Sequence, residues 1–171
     1  MAAFCAADGD SIDFELLQHG ATTLFRRPAL FNAAVDQLTA LGYLVHRIDA
    51  RAREPFVTGL TEALRFHENF GYTPWGGNLD ALNDAFREVL FGDHRGVAFA
   101  FHRFDALHRV EPRLAQGTLD ILEGSARDHM LFAIGCWPWF TPMTLTSTSD
   151  RSAGRCATWN RREWLAADRR D

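Results

Sequence analysis

The sequence predicts an α/β fold in which helices pack on a small, parallel β-sheet. Two observations lead to this prediction. Short apolar runs typical of buried strands alternate with longer segments in which apolar residues recur at helical spacing, and such alternation favours βαβ units with right-handed crossovers. The 171 residues, 47% of them hydrophobic and 23% charged, are also enough for one domain with a hydrophobic core.

The N-terminal part of the chain is predicted to contain extended structure and then a helix. Residues 12–27, IDFELLQHGATTLFRR, are expected to be extended around His19 and Gly20, as in a hairpin with TTLF in its second arm. Pro28 takes the first position of the following helix, in which apolar side chains recur at helical spacing up to Gly42.

Strands and helices alternate through the middle of the chain. Residues 43–48 (YLVHRI) are predicted to form a strand, and residues 55–66 a helix with apolar side chains on one side. After a glycine-containing loop comes the helix NLDALNDAFREVL, and Gly96–His102 (GVAFAFH) is a strand apolar enough to be buried on both faces. Residues 112–126 are predicted to form a helix and residues 130–134 (MLFAI) another buried strand.

The last segment, residues 138–171, has the Thr-, Ser- and Pro-rich composition of loops until WNRREWLAA near its end. We expect its two tryptophans, Trp159 and Trp164, to dock the tail on the domain rather than to form a recognition surface.

Charge and cysteine content exclude several classes of function. The net charge of −4 argues against a nucleic-acid-binding protein, which would concentrate basic side chains on one face. The three cysteines show no CxxC spacing, so neither a disulfide framework nor a zinc site is predicted, and a reducing cytoplasm fits best. Neither a signal peptide nor an apolar run long enough to span a bilayer is visible, so we expect a cytoplasmic protein without a membrane partner.

No catalytic residue, metal ion or cofactor is predicted. The seven histidines are scattered without an HExxH pattern, and the loop YTPWGGN lacks both GxGxxG and a lysine. His102 with Asp105 suggests acid–base chemistry, but a solvated position at a strand end is the favoured interpretation. An α/β hydrolase or a nucleotide-binding enzyme would need a concave pocket with converging polar groups, and the sequence indicates none.

The helix that begins at Asn78 carries two carboxylates one turn apart, after Gly77, whose backbone freedom allows the chain to enter it. Helical spacing places two sets of residues on opposite faces. The apolar stripe comprises Leu79, Leu82, Phe86 and Val89, and the polar face comprises Asp80, Asn83, Asp84 and Arg87.

Two interpretations of the acidic pair stay open from the residues alone. Acidic side chains near a helix N-terminus gain about 0.3–1 kcal/mol from the helix dipole. This explains Asp80 well and Asp84 poorly, because Asp84 lies in the second turn and repels Asp80 slightly. A surface ion pair between Asp84 and Arg87 would offset part of that repulsion. Alternatively, the pair is a phosphate-like surface that meets the arginines of a partner.

The segment WGGNLDALND, residues 75–84, resembles the signature of the barstar family. The shared pattern is an aromatic residue, Gly, any residue, Asn-Leu-Asp-Ala-Leu, any residue, and Asp. The resemblance implies a barstar-like domain over residues 43–137, with residues 1–42 as an N-terminal extension packed on it and residues 138–171 as a C-terminal tail.

Barstar-like proteins are intracellular bacterial inhibitors of secreted ribonucleases, and the resemblance implies the same immunity function here. In the family, this helix and the preceding loop plug the active site of the ribonuclease, with the two aspartates in place of RNA phosphates. The partner-binding residues that the resemblance implies are Trp75, Gly76, Asn78, Leu79, Asp80, Asn83, Asp84 and, in the last helix of the unit, Glu123.

Three departures from the family pattern indicate a changed partner surface. Asn83 stands where the family usually has an aromatic residue, Pro74 where a tyrosine is common, and Gly77 where an acidic residue is frequent. The alternative hypothesis is therefore a barstar-like protein-binding module whose partner is not a ribonuclease.

Overall fold

The structure is a computed structural model that describes residues 9–18, 20–71, 75–89, 92–131, 141–143, 151–152, 155–156, 158–160 and 162. The helices in these ranges are α1 (Ile12–Leu17), α2 (Pro28–Ala40), α3 (Arg53–Ala63), α4 (Phe66–Phe70), α5 (Leu79–Arg87), α6 (Phe104–Val110) and α7 (Pro112–Leu131). The strands are β1 (Thr22–Leu24), β2 (Tyr43–Asp49), β3 (Gly96–His102), β4 (Thr141–Met143), β5 (Arg151–Ser152), β6 (Arg155–Cys156) and β7 (Thr158–Trp159).

Parallel strand pairs form the centre of the fold. β2 and β3 pair in parallel along their whole length, from Tyr43 opposite Gly96 to Asp49 opposite His102. β1 lies between β4 and β7 and is parallel to both, while β5 and β6 form a short antiparallel pair. The predicted α/β class with a small parallel sheet is therefore confirmed. The division of the chain after residues 42 and 137 stays a prediction.

The β2–β3 pair separates two hydrophobic clusters, because successive side chains of a strand point to opposite faces of a sheet. On one face, Ala98 and Ala100 contribute to a cluster with apolar residues of α1 and α2. On the other face, Val97, Phe99 and Phe101 contribute to a larger cluster with residues of α3, α5 and α7. α5 thus has a packed core behind it.

The predicted extended structure in residues 12–27 is wrong for its first half. Ile12 and Leu16, one helical turn apart, are both buried in α1. The buried Asp13 in the first turn of α1 accepts a hydrogen bond from the Tyr43 hydroxyl at 2.9 Å and pairs with Arg95 at 3.0 Å. β1 is a strand, as the second arm was expected to be, but it pairs with β4 and β7 instead of forming a hairpin. His19 lies outside the described residues.

The helix predicted over residues 55–66 is two helices in the structure. α3 begins at Arg53 and ends at Ala63, and α4 begins at Phe66. Arg65 separates them with a left-handed backbone, φ 50°, a conformation that no sequence pattern marks at an arginine. The predicted helix 28–41 and the strands at residues 43 and 96 are confirmed, with β2 one residue longer than expected.

The region after β3 differs from its prediction in two ways. α6 was not predicted, and α7 continues five residues beyond the predicted end at Ala126. Met130 and Leu131 are therefore helical rather than the start of a strand, and residues 132–134 lie outside the described residues.

The C-terminal segment was predicted to be mostly loop, yet it supplies both neighbours of β1. The predicted docking of the tail is confirmed for its described residues. The Arg26 guanidinium lies 5.3 Å from the centre of the Trp159 ring, and Arg162 pairs with Glu15 at 2.9 Å. Trp164 lies outside the described residues.

Candidate protein-binding surface

The N-terminus of α5 is fixed by local hydrogen bonding. Asn78 has an extended backbone, and its side chain accepts a hydrogen bond from the N–H of Asp80 at 2.9 Å. This is the geometry of an N-cap, so the predicted helix start at Asn78 is confirmed. Gly76 and Asn78 are both exposed, and Asn83 is half-buried.

Gly77 explains one departure from the family pattern. Its backbone has φ +87°, and a Cβ atom there would lie 2.6 Å from Nη2 of Arg53. The same Arg53 nitrogen donates to the carbonyl of Gly76 at 3.0 Å, and Nη1 lies 3.5 Å from a carboxylate oxygen of Glu111. A side chain at position 77 would displace the guanidinium. Nothing in the local sequence pattern connects α3 with this loop, so the pattern does not indicate Arg53.

Trp75 lies in the core, and its contact with a partner stays a prediction. It is 0% exposed, its indole N–H donates to the carbonyl of Asn78 at 2.8 Å, and its backbone N–H donates to Thr61 at 3.0 Å. The ring stacks on Phe66 and meets Phe56 edge-on. The indole therefore holds the loop that precedes α5.

Asp80 and Asp84 point outward, as the helical spacing predicts. Both are exposed, and neither forms an ion pair with any part of the chain that the structure describes. The surface pair between Asp84 and Arg87 that would offset the repulsion between the two carboxylates under the helix-dipole interpretation does not form within these residues. Residues four apart on a helix are neighbours about 5–6 Å apart, so the two carboxylates form one anionic face.

Leu79 fixes α5 against α7. Its side chain is half-buried, and a Cβ atom on Gly117 of α7 would lie 2.4 Å from Leu79 Cδ1. The missing side chain at Gly117 thus lets the first turn of α5 approach the helix behind it. The predicted partner contact of Leu79 is limited to the part of the side chain that α7 leaves open.

We expect Gly117→Ala to be about 1–3 kcal/mol less stable than Gly124→Ala, because both variants gain helix propensity and only the methyl group at position 117 overpacks against Leu79. Gly124→Ala on the same helix is the matched control. Nothing lies within 4 Å of the Cβ position at Gly124, so alanine there should stabilise by up to about 1 kcal/mol through helix propensity. Urea unfolding followed by circular dichroism measures both changes.

If the close contact is the cause, Leu79→Ala should remove most of the difference between glycine and alanine at position 117. Equal effects of alanine at Gly117 and Gly124 would contradict the close approach of the two helices.

Glu123 is also buried, and its contact with a partner stays a prediction. It is 6% exposed, and its Oε2 accepts a hydrogen bond from the backbone N–H of Ala21 at 2.9 Å. Thr22 Oγ1 lies 3.5 Å from the same oxygen. Glu123 therefore joins α7 to the beginning of β1.

Asp120 is an acidic residue of α7 on the side that carries Gly117, which it follows by three residues. It is half-buried and accepts a hydrogen bond from Gln116 at 3.2 Å. The helical period alone does not show that Asp120 lies on the side of α7 that faces α5, because that side is known only from the structure.

We expect Glu123→Ala to destabilise the fold by about 1–3 kcal/mol, because it leaves the buried N–H of Ala21 without its acceptor. Glu123→Gln retains an acceptor oxygen and should cost less. Asp128→Ala, at an exposed acidic position on the same helix, is the control and should be nearly neutral. Chemical unfolding measures all three. A Glu123→Ala variant that unfolds like the wild type but loses a protein partner would support the prediction that Glu123 contacts the partner.

His102 and Asp105, the acid–base pair considered from the sequence, each contact other residues. Asp105 pairs with Arg109 at 3.2 Å, and the His102 ring contacts Phe31 edge-on with centroids 4.4 Å apart. Burial, with a smaller contribution from the charge of Arg47, lowers the pKa of His102.

The comparisons add no family. No protein-family model matches the chain, and no curated protein matches it. Among the described residues, no group of three or more His, Cys, Asp or Glu side chains could hold a metal ion. Within the same ranges, each helix is too short or too polar to cross a membrane. The barstar resemblance therefore stays a prediction from residues 75–84.

Proposed function

We propose that the anionic face of α5 is a protein-binding surface that blocks the RNA-binding site of a ribonuclease. The observation that carries the proposal is that Asp80 and Asp84 project to solvent from one face, with no ion pair to a described residue. Carboxylates held in this way can form charge-assisted hydrogen bonds with the guanidinium groups that an RNA-binding site offers to phosphates.

Rigidity of the surface supports the proposal. The Asn78 cap, the hydrogen bonds of Trp75 and the contact of Leu79 with Gly117 all hold the first turn of α5 in place. A preorganised surface loses less entropy on binding than a mobile one does. The acidic face can therefore contribute its charge interactions without first having to be ordered.

A second candidate is a protein-binding module with a partner other than a ribonuclease. The burial of Trp75 and Glu123 favours it, because two of the contacts that the family resemblance implies are committed to the fold. The surface that remains is smaller and consists of Gly76, Asn78, Asp80, Asn83, Asp84 and the open part of Leu79.

Affinity capture from lysate and culture medium of the source organism, with the wild-type chain as bait, separates the two candidates. The captured protein is then tested for cleavage of RNA and for inhibition by the wild-type chain. A captured ribonuclease that the chain inhibits supports the first candidate. A saturable partner without ribonuclease activity supports the second, and failure to bind any secreted ribonuclease of that organism contradicts the first.

A further inference from the structure

A pocket of about 170 Å³ opens at the C-terminal end of α5, at the opposite end of the helix from the Asn78 cap. Its walls come from four parts of the fold: β2, β3, the junction of α3 with α4, and the residues that end α5. A cavity of roughly 150 Å³ holds a molecule the size of benzene, so this pocket suits one large apolar side chain. Five aliphatic side chains line it: Leu44, Ala63, Leu64, Val89 and Val97.

The charged groups at the pocket are mainly negative. Glu62 and Glu88 both line the pocket, both are exposed, and neither forms an ion pair with a residue that the structure describes. The one arginine in the lining, Arg65, already pairs with Glu68. His46, the remaining titratable group, stacks on Phe99, and burial lowers its pKa, so its ring adds no positive charge near neutral pH.

Glu88 connects the pocket to the anionic face. It follows Asp84 by four residues, as Asp84 follows Asp80, so the three carboxylates lie along one ridge of α5. Glu88 is also the C-cap residue of the helix. A partner that lies along the ridge therefore reaches the pocket at the end of α5, and on the way it passes the exposed Arg87 in the last turn of the helix.

We propose that this pocket receives one apolar side chain of a protein partner, from a segment that carries arginine or lysine next to that side chain. The inference rests on the proposed function in that the same partner covers the ridge of α5. Apolar anchors that fill a pocket dominate the energetics of many interfaces, while exposed charges around them set orientation and rate. The aliphatic walls select the anchor, and Glu62 and Glu88 select the basic residues beside it.

The test is a titration of the full chain with the blocked tripeptide acetyl-Arg-Leu-Arg-amide, followed through methyl and amide NMR signals. We expect saturable shifts at Leu44, Leu64, Val89 and Val97. Acetyl-Glu-Leu-Glu-amide tests the charge requirement and acetyl-Arg-Ser-Arg-amide the apolar requirement. Each should bind at least about tenfold more weakly, as expected when two exposed charge contacts or one buried apolar side chain are lost.

Two variants locate the site. Ala63→Leu places extra methyl groups in the pocket and should abolish the saturable shifts, whereas Ala29→Leu, at an exposed position on α2, should leave them unchanged. Glu62→Gln with Glu88→Gln should weaken binding about tenfold at low salt and less at high salt. Amide spectra show whether each variant is folded. If one variant is unfolded, the comparison of the three peptides on the wild-type chain still tests the proposal.

Absence of saturable shifts, equal binding of the acidic peptide, or unchanged binding to a folded Ala63→Leu variant would each overturn the proposal. These results are separable from the ribonuclease assay. A pocket that binds the basic peptide in a chain that inhibits no ribonuclease rejects the proposed function and keeps the pocket. A ribonuclease inhibitor whose pocket ignores the peptide rejects the pocket alone.

Discussion

The double variant Asp80→Asn/Asp84→Asn is expected to bind the target ribonuclease roughly 10²- to 10⁴-fold more weakly than the wild type. A hydrogen bond to a charged group contributes about 1.5–3 kcal/mol, and each 1.4 kcal/mol is about tenfold in affinity. Asparagine keeps the shape of aspartate and removes its charge, so the comparison isolates the electrostatic contribution. Isothermal titration or surface plasmon resonance at several salt concentrations measures it.

The double variant should also differ from the wild type in how strongly salt weakens its binding. Binding of the wild type should weaken as ionic strength rises, because salt screens attraction between the carboxylates and the basic cleft of the partner. The variant should show a shallower dependence and a slower association. Folding should be nearly unaffected, since neither carboxylate pairs with a described residue and the dipole interaction of Asp80 contributes only about 0.3–1 kcal/mol.

The matched control is Asp36→Asn/Asp93→Asn, which changes the net charge equally at two exposed positions outside α5. Asp36 pairs with Arg47 across the far face of the β2–β3 sheet, where its side chain is 75% exposed. If both double variants weaken binding to the same degree, overall charge rather than the face of α5 determines affinity, and the proposed surface is rejected.

Trp75→Ala is expected to lower the free energy of unfolding by about 3–5 kcal/mol, the range for deleting a large aromatic side chain from a core. The indole is fully buried between Phe56 and Phe66, and alanine would leave a cavity there. The variant also loses the 2.8 Å hydrogen bond to the carbonyl of Asn78, so the cap of α5 loses a support. Chemical unfolding followed by far-ultraviolet circular dichroism measures the change without relying on tryptophan fluorescence.

Trp75→Phe separates the contribution of apolar packing from that of the hydrogen bond to Asn78. Phenylalanine keeps most of the apolar contact and lacks the N–H donor, so it should cost only about 1–2 kcal/mol. A Trp75→Ala variant with wild-type stability that no longer binds a partner would place this side chain on the binding surface, as the family resemblance implies.

The elements that sequence analysis predicted well have strong local signals. α2 begins with Pro28 and carries a regular apolar stripe, and β3 is a continuous apolar run. The start of α5 is marked by Asn78, a residue type whose side chain caps helices through contacts only two residues away. The outward direction of Asp80 and Asp84 follows from the helical period once that start is known.

The features that the sequence did not indicate depend on distant parts of the chain. Three residues cannot show that β1 joins a sheet with strands from the C-terminal segment, since so short a run fits a hairpin equally well. Trp75 lies in a loop, where no periodicity distinguishes a buried ring from an exposed one. Glu123 was assigned by position in a helix whose rotation about its own axis the sequence does not fix, and the structure turns it towards Ala21.

The placement of β1 between β4 and β7 has a consequence for how a newly made chain matures. Proteins emerge from the ribosome N-terminus first, so β1 appears while both of its neighbours, which follow β3 in the chain, are still to be translated. β2, α3, α5 and β3 follow one another closely and can assemble in the meantime. Until β4 and β7 emerge, the backbone of β1 lacks its native partners and is open to other extended segments. The time needed to translate the residues between β1 and β7 thus sets how long the nascent protein stays exposed to misassembly.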